Sequence, residues 1–273
     1  MKFGTFGKTF VSAMKHFLAV LFFLLCLILG SFLGQAARPA INGAHPPSPA
    51  FMEGERLVYD ITYFSAKTGV ATFEVKEKMV LKGRLVYPIV LTAQSNDLVS
   101  LFYPVDDRVE SYMDVEGLYS HHIKIRQHQG RKHRNKVIDF DQAEHRAVQS
   151  KNNGQEIFEI PPQVQDTLSA LYYLRAVSPL EVGKSTFVNV HESEKNWSLE
   201  IKTLKKERVE TPVGMFDAIK TQALVRYEGL FMDKGDVFIW FTDDAKRIPV
   251  VVKTRIKIGS ITATLSSRKD GPI

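Results

Sequence analysis

Histidine offers the most obvious metal-binding and acid–base chemistry in this chain, and five of its eight histidines fall between residues 121 and 145. Zinc sites need three or four ligands that converge on one point, and no compact spacing such as His-Glu-x-x-His is present. On a strand, His122 and His128 share a face, whereas His121 and His133 meet only if a hairpin register allows it. The pattern therefore indicates solvated basic strand faces, and we expect neither a bound metal nor a cofactor.

Nucleophilic catalysis has little support in the residue pattern. The chain lacks the Gly-x-Ser-x-Gly turn of serine hydrolases, and Ser169 lies in an apolar helical segment where a packing role is expected. The single cysteine, Cys26, falls in the N-terminal apolar segment. The acid pairs Asp106-Asp107 and Asp243-Asp244 consist of adjacent residues, which point to opposite sides of a strand and do not form an acid–base couple. We expect no catalytic residues.

Arg175 is the charged residue whose position suggests ligand binding. It shares one helical face with Leu168, Leu171 and Tyr172, which is otherwise apolar. A guanidinium buried with such a face needs an anionic or carbonyl partner, because a desolvated charge is unstable alone. Two interpretations stay open: a bond to a strand carboxylate or to backbone carbonyls, and a bond to the anionic group of a ligand.

Alternation of apolar and polar residues runs through most of the chain from Glu53 onward. Leu57, Tyr59, Ile61 and Tyr63 alternate with other residues, which is typical of a half-buried strand. About a dozen such segments follow one another at hairpin spacing. We therefore predict a mainly β fold, a single antiparallel meander that curls into a barrel-like or strongly bent sheet and so hides its edges.

Glycines and caps indicate where these strands turn and where helices interrupt them. Gly69 is expected in the first hairpin turn, Asn153-Gly154 in a later one, and Gly259 at a bend within one long final strand, Ile248–Leu265. One short amphipathic helix is expected near residues 166–177, with Asp166 as its N-cap. A shorter helical piece is expected within residues 97–103.

The first 36 residues have the composition of a secretory leader. Three lysines precede the apolar run Phe17–Leu29, and Gly34 and Ala36 fit the small-residue positions of a cleavage site. We expect a signal peptide over residues 1–36, with an uncleaved membrane anchor as the alternative. A proline-rich linker over 37–52, an antiparallel β domain over 53–267 and a polar tail over 268–273 are expected to follow. The protein is thus expected in the periplasm or otherwise exported, touching the membrane only through its N-terminal segment.

The charge balance narrows the range of partners. The chain carries 36 basic and 30 acidic residues, and without the three leader lysines the excess falls to 33 against 30. An excess this small argues against nucleic acid as a partner. Charged residues on alternate positions, such as Lys124 with Arg126 and Lys253 with Arg255 and Lys257, indicate water-facing strand sides rather than the lipid face of an outer-membrane barrel.

Short motifs spread over the chain occur in an order typical of one protein family. In chain order they are Gly54-Glu55 with Leu57 and Tyr59, Asp107-Arg108, Glu110-Ser111, Asp114 to Gly117, Asp166 to Arg175, Glu210 to Gly214 before Phe216, Trp240 to Asp244, Ile248 to Val250, and Gly259-Ser260. Together, over roughly residues 51–265, they resemble the bacterial family called domain of unknown function 3108. The resemblance implies a secreted or envelope-bound protein with a mostly antiparallel, barrel-like fold. It supplies no catalytic residues, because the family has no established activity.

Three functions remain open. The first is non-enzymatic periplasmic binding or carriage of an apolar or amphiphilic ligand such as a lipid, and its candidate ligand-binding residues are Tyr59, Tyr63, Tyr172, Arg175 and Trp240. The second is an envelope scaffold that binds a protein or an anionic glycan through basic strand faces. The third is a cofactor-free enzyme, ranked last because no acid, base and nucleophile come together in the sequence.

Overall fold

The computed structural model of this chain describes residues 50–151, 154–177, 180–192, 194–227, 230–231, 237–255 and 259–271. These residues form β1 (Glu55–Tyr63), β2 (Ala66–Val75), β3 (Met79–Leu81), β4 (Arg84–Ser95), α1 (Asp97–Ser100), β5 (Asp106–Asp114), β6 (Ser120–Gln129), β7 (Lys132–Asp141), β8 (Arg146–Lys151), β9 (Gly154–Glu159), α2 (Thr167–Val177), β10 (Ser185–Glu192), β11 (Lys195–Thr211), β12 (Gly214–Tyr227), β13 (Leu230–Phe231), β14 (Val237–Thr242), β15 (Pro249–Arg255) and β16 (Ser260–Asp270). The predicted leader over residues 1–36 and Asn153 of the predicted hairpin lie outside the described residues.

The strands form one antiparallel sheet, which confirms the predicted fold class. Their spatial order is β10-β11-β12-β14-β15-β16-β1-β2-β4-β5-β6-β7-β8-β9, with β3 paired to β4 and β13 paired to β12. Almost every strand therefore pairs with its neighbour in sequence, as a meander requires. The long connection between β9 and β10 contains α2, and the first and last strands, β1 and β16, pair in the middle of the sheet.

The period-two pattern positions the core as expected. In β1 the side chains of Leu57, Tyr59 and Ile61 are buried, whereas the residues between them are partly exposed. The same alternation recurs in β5 and β6. Because alternate side chains of every strand point to one face, the sheet curls around that face and buries a continuous apolar cluster.

The backbone ladder of the sheet does not close, and other contacts cover its edge strand β10. Gln165 lies beside β10, where its N–H donates to the Asn189 carbonyl and its own carbonyl accepts from the His191 N–H, each at 2.9 Å. Across the gap, Lys136 of β7 and Glu192 of β10 form a buried ion pair of 3.0 Å. These contacts cover the edge of β10, which would otherwise offer unpaired backbone groups to another strand.

The helix α2 lies on the concave side of the sheet. Asp166 is its N-cap, as predicted, because its Oδ1 accepts from the backbone N–H groups of Leu168 and Ser169 at 2.7 and 2.8 Å. The helix packs against β4, β5 and β10, and nine of its eleven residues are buried. It is therefore buried on nearly all sides, more completely than a single amphipathic face requires. The second predicted helical piece is confirmed as α1.

The first hairpin turn differs from the prediction. The turn between β1 and β2 is formed by Phe64 and Ser65, whose φ angles of 46° and 63° are both left-handed. Gly69 instead lies within β2, where an added Cβ would stand 2.3 Å from the carbonyl oxygen of Gln94 in β4. The prediction of a turn at Gly69 is therefore wrong, because this glycine permits a close approach of two strands.

The end of the chain also differs from the prediction. The single long strand expected over Ile248–Leu265 is two strands, β15 and β16, which pair with each other in antiparallel register. Gly259, with a φ of 83°, directly precedes β16. β16 continues to Asp270 because its last residues pair with the start of β1, so residues 268–270 belong to the sheet rather than to a polar tail. At the other boundary, Ala50 and Phe51 are buried in the core and so do not behave as linker.

Neither helix of the described residues has both the length and the hydropathy needed to cross a membrane.

Candidate functional site

Three of the five candidate residues, Tyr59, Tyr172 and Arg175, meet in one buried cluster. The guanidinium of Arg175 donates to both carboxylate oxygens of Glu55, Nη1 to Oε1 and Nη2 to Oε2, each at 2.7 Å. It also donates to the backbone carbonyls of Ala50 at 3.0 Å and Lys246 at 3.2 Å. Of the two interpretations left open by the sequence, the structure shows the bond to a strand carboxylate, with backbone carbonyls added.

Aromatic rings surround this ion pair. The guanidinium carbon of Arg175 lies 5.0 Å from the ring centroid of Tyr172 and 5.7 Å from that of Phe51. The Phe51 and Tyr172 rings meet edge to face at 4.9 Å. Cation–π contacts of this kind help to stabilise a desolvated guanidinium. The cluster therefore ties α2 to β1 and to the residues that precede it.

The two tyrosines of the cluster are neutral at physiological pH. Burial raises the pKa of the Tyr59 phenol well above its usual value, although the charge of Arg175 opposes this effect. Burial also raises the pKa of Tyr172, and the Glu55 carboxylate adds to the rise. The Tyr59 hydroxyl donates to the Pro249 carbonyl at 2.7 Å. Both phenols are thus suited to packing and hydrogen bonding rather than to proton transfer.

Tyr63 lies apart from this cluster, at the opposite end of β1. It follows Tyr59 by four positions, a distance of about 13 Å along a strand. Its ring centroid lies 4.5 Å from that of Phe64, in the turn that leads to β2. The structure therefore places Tyr63 at the end of the sheet that carries the β1–β2 turn.

Trp240 lies on the outer face of the sheet. In β14, Val237, Ile239 and Phe241 are buried, whereas Phe238 and Trp240 point the other way and are partly exposed. The indole N–H of Trp240 donates to Glu207 Oε1 at 2.8 Å. Trp240 therefore contributes to a surface feature and not to the buried cluster.

Cationic side chains flank the two outward aromatic rings. Lys220 is directly opposite Trp240 in the ladder, and its Nζ lies 4.7 Å from the Trp240 ring centroid and 4.9 Å from that of Phe238. Lys253 is directly opposite Phe238 on β15. The Arg255 guanidinium carbon lies 5.5 Å from the Phe238 ring. We call these five residues, Lys220, Phe238, Trp240, Lys253 and Arg255, the aromatic–cation face.

The other predicted basic face is neutralised by acidic neighbours. Arg126 pairs with Asp106 at 3.3 Å, and Lys124 is directly opposite Glu110 in the ladder. Among the described residues, no carboxylate oxygen lies within 4.0 Å of the Lys253 ammonium, whereas the charge of Lys220 acts on the Glu207 carboxylate, which also accepts from Trp240. Lys257 lies outside the described residues. Lys253 is therefore a cation of the aromatic–cation face that can pair with an external anion.

The N-terminus of α2 holds a buried carboxylate that the sequence did not single out as a cluster. The hydroxyls of Ser111 and Ser120 both donate to Asp166 Oδ2 at 2.5 Å. Burial raises the pKa of Asp166, and these hydroxyl groups and the backbone donors of the helix oppose the rise. These contacts of Asp166 include no basic side chain. The carboxylate therefore acts as a helix cap that anchors α2 to β5 and β6.

The histidines between residues 121 and 145 are spread over several separate contacts. His121 Nε2 lies 2.8 Å from Asp114, and His122 Nδ1 lies 3.1 Å from Asp139. The rings of His128 and His133 are neighbours across the β6–β7 ladder, with centroids 4.0 Å apart. In the part of the chain that the structure describes, no three histidine, cysteine or acidic side chains converge as metal ligands.

Comparison with solved structures gives matches at low sequence identity. A β-barrel-like protein of domain of unknown function DUF1849 from Brucella abortus matches with a TM-score of 0.54 and 10% identity, covering 80% of this chain and 98% of that one. A protein described as exported, with a YmcC-like fold, from Bacteroides fragilis matches with a TM-score of 0.33, 12% identity and coverage of 83% and 100%. A protein described as a lipoprotein from Parabacteroides distasonis matches with a TM-score of 0.32 and 12% identity, covering 81% of this chain and 98% of that one. The first match supports the barrel-like fold alone.

The sequence comparisons identify the family. A search of curated proteins gave no match. The family model described as protein of unknown function (DUF3108) matches residues 58–266, which span almost the whole sheet from β1 to β16. The matched region includes Arg175 and the aromatic–cation face, whereas Glu55, the partner of Arg175, lies just before it. The chain therefore belongs to the DUF3108 family, as the motifs in its sequence indicate.

Proposed function

We propose that this protein is a non-enzymatic binding domain of the bacterial cell envelope that recognises an anionic glycan through its aromatic–cation face. The expected leader and the family resemblance support a location in the cell envelope. The contact of Lys220 with both the Phe238 and Trp240 rings carries the choice of site, because it places a cation and aromatic surface side by side on a partly exposed strand face. Aromatic rings pack against the apolar faces of sugars, and lysine or arginine pairs with carboxylate or phosphate groups.

The buried cluster supports this choice because it leaves little binding capacity inside the sheet. Arg175, the charged residue expected to hold a ligand anion, already makes four hydrogen bonds to Glu55 and to two carbonyls. The helix α2 fills the concave side next to it. The outer face, in contrast, presents the Lys253 ammonium, which has no carboxylate oxygen within 4.0 Å among the described residues.

Three polymers test the proposal. We expect the purified protein to bind polygalacturonate, a carboxylated polysaccharide, and to bind neutral dextran and polyglutamate at least tenfold more weakly. Dextran lacks the charge and polyglutamate lacks the sugar rings. Trp240→Ala and the double variant Lys220→Ala/Lys253→Ala should each weaken polygalacturonate binding about tenfold. The control variant Lys124→Ala/Arg126→Ala removes equal charge from the neutralised face and should bind like the wild type.

Two outcomes would contradict the glycan function. If polyglutamate binds as tightly as polygalacturonate, the face recognises charge alone. If Trp240→Ala leaves the affinity for polygalacturonate unchanged, the aromatic rings take no part in recognition. Circular dichroism spectra that match the wild type would show that each variant is folded.

Carriage of an amphiphilic ligand on the concave side is the second candidate, and one observation favours it. The hydroxyl of Thr167, at the start of α2, is buried and has no hydrogen-bond partner among the described residues. Buried polar atoms are nearly always paired, so a ligand headgroup or a water molecule is expected there. Native mass spectrometry of protein purified from envelopes should then show a bound lipid, and a spectrum of the bare chain alone would rule the carrier out.

A further inference from the structure

One end of the sheet exposes a group of large apolar side chains. Phe64, Leu98, Leu101 and Phe102 are between 66% and 77% exposed. Among the large apolar residues whose exposure the structure describes, only Val80 is as exposed as these four. Phe64 belongs to the β1–β2 turn, and the other three belong to α1 and the residues after it. We call these four residues the apolar end.

The two segments of the apolar end are fixed to each other. The Asn96 N–H donates to the Thr68 carbonyl at 2.9 Å, and its side-chain amide donates to the Lys67 carbonyl at 2.7 Å. Below them, Val99 and Tyr103 are buried in the core. The inner side of this segment is therefore anchored, and the exposure of its outer side is a fixed property of the structure.

The backbone at Phe64 supports a functional reason for this exposure. Phe64 has a left-handed φ of 46°, which a bulky residue adopts only when its surroundings enforce it. Glycine and asparagine are the usual residues at such a turn. A phenylalanine here combines backbone strain with a ring that is 66% exposed.

Basic side chains border the apolar end. The β6–β7 turn is held to it by a hydrogen bond from the Gly130 N–H to the Pro104 carbonyl at 2.8 Å. This turn and the start of β7 carry the exposed cations Arg131, Lys132 and Arg134. Within the described residues, no carboxylate oxygen lies within 4.0 Å of any of the three, so their charge is available to a partner.

We infer that the apolar end docks on the surface of an anionic lipid bilayer. Exposed apolar side chains on protruding turns, bordered by unpaired cations, are the features of a protein that lies at a membrane interface. The four apolar side chains enter the boundary between headgroups and acyl chains, and the cations contact lipid phosphates. This contact is separate from the N-terminal segment, because it lies at the end of β1 farthest from residue 50.

A polarity-sensitive dye at two positions tests the inference on the full chain. In a Cys26→Ser background, Leu101→Cys places the dye at the apolar end. Ile157→Cys places it on β9, at another exposed apolar position. Vesicles of phosphatidylglycerol and phosphatidylethanolamine should shift the emission of the first dye to the blue and leave the second unchanged. This contrast holds whether or not the leader is retained.

Charge and composition give the second measurement. With the dye at position 101, Arg131→Glu/Lys132→Glu should raise the phosphatidylglycerol vesicle concentration at half-maximal shift about tenfold. When Arg131 and Lys132 are unchanged, phosphatidylcholine vesicles should need a similarly higher concentration than phosphatidylglycerol vesicles to reach the half-maximal shift. Equal blue shifts at positions 101 and 157, no shift at 101, or a shift at 101 that depends on protein concentration without vesicles, as in self-association, would each overturn the inference.

Discussion

Arg175 in α2 and Glu55 at the start of β1 form a two-pronged ion pair between residues 120 positions apart in the chain. Their side chains are 0% and 4% exposed. The pair joins the one helix inside the sheet to the strand that runs through the middle of the sheet order. It also holds Ala50 at the edge of the core through the carbonyl of that residue.

Removing one partner of this pair should be far more damaging than removing both. Glu55→Gln or Arg175→Met should lower the free energy of unfolding by about 3–5 kcal/mol, because each leaves a buried charge without its counter-charge. The double variant Glu55→Leu/Arg175→Met should lose clearly less than the sum. Urea unfolding followed by tryptophan fluorescence measures all three, and single variants that lose less than 1 kcal/mol would disprove a structural role for the pair.

His191 should make stability depend on pH near neutrality. Burial lowers its pKa, while the hydrogen bond to Asn196 opposes the shift. The unfolded state therefore takes up a proton near pH 6.5, where the folded state does not. The stabilising contribution of neutral His191 is complete above that pH and is lost as the pH falls below it.

The measurement for His191 is a comparison of unfolding free energies at pH 7.5 and pH 5.5. The wild type should lose more stability over this interval than His191→Gln, whose side chain does not titrate. The other histidines are present in both proteins, so the difference isolates position 191. Parallel curves for the two proteins would show that His191 has the same pKa in the folded and unfolded states.

The strained β1–β2 turn should be improved by glycine. Ser65 has a left-handed φ of 63° and is exposed. A non-glycine residue in this conformation costs about 1–2 kcal/mol. We expect Ser65→Gly to raise the free energy of unfolding by about 1 kcal/mol, since glycine also loses more entropy on folding. A thermal midpoint that falls in Ser65→Gly would contradict the turn geometry.

Gly69 should not tolerate any side chain. An added Cβ would stand 2.3 Å from the Gln94 carbonyl oxygen, and backbone atoms of a paired strand move only when the ladder distorts. Gly69→Ala is therefore expected to cost more than about 2 kcal/mol, as overpacked sites do. Gly83→Asn is the matched control because nothing lies within 4 Å of its Cβ and asparagine accepts its φ of 81°.

The strands and the helix cap were predictable because their signals are local. Burial of one sheet face gives an alternating pattern in β1, and Asp166 precedes an apolar segment as an N-cap does. The Phe64–Ser65 turn was not predictable, because neither residue prefers a left-handed backbone and the surrounding contacts impose it. The sequence thus indicated which segments are strands better than it indicated where they turn.

The candidate site was predictable only in part. The helical pattern showed that Arg175 needs a partner, but the sequence does not indicate which of thirty acidic residues lies opposite it. Trp240 was expected to line a ligand site, and the structure places it on the outer face. All five residues of Val237–Phe241 are apolar, so alternation in β14 could not distinguish the two sides of the sheet.

The pairing of β1 with β16 has a consequence for synthesis of the protein. The Ser266 hydroxyl donates to the Val58 carbonyl across 208 residues, in a ladder that runs through the middle of the sheet order. A nascent chain that still lacks β16 leaves both β1 and β15 with a bare edge, and contacts this distant in sequence form slowly. The sheet can therefore be completed only after β16 has been synthesised, and until then the domain lacks the central ladder that joins its two halves.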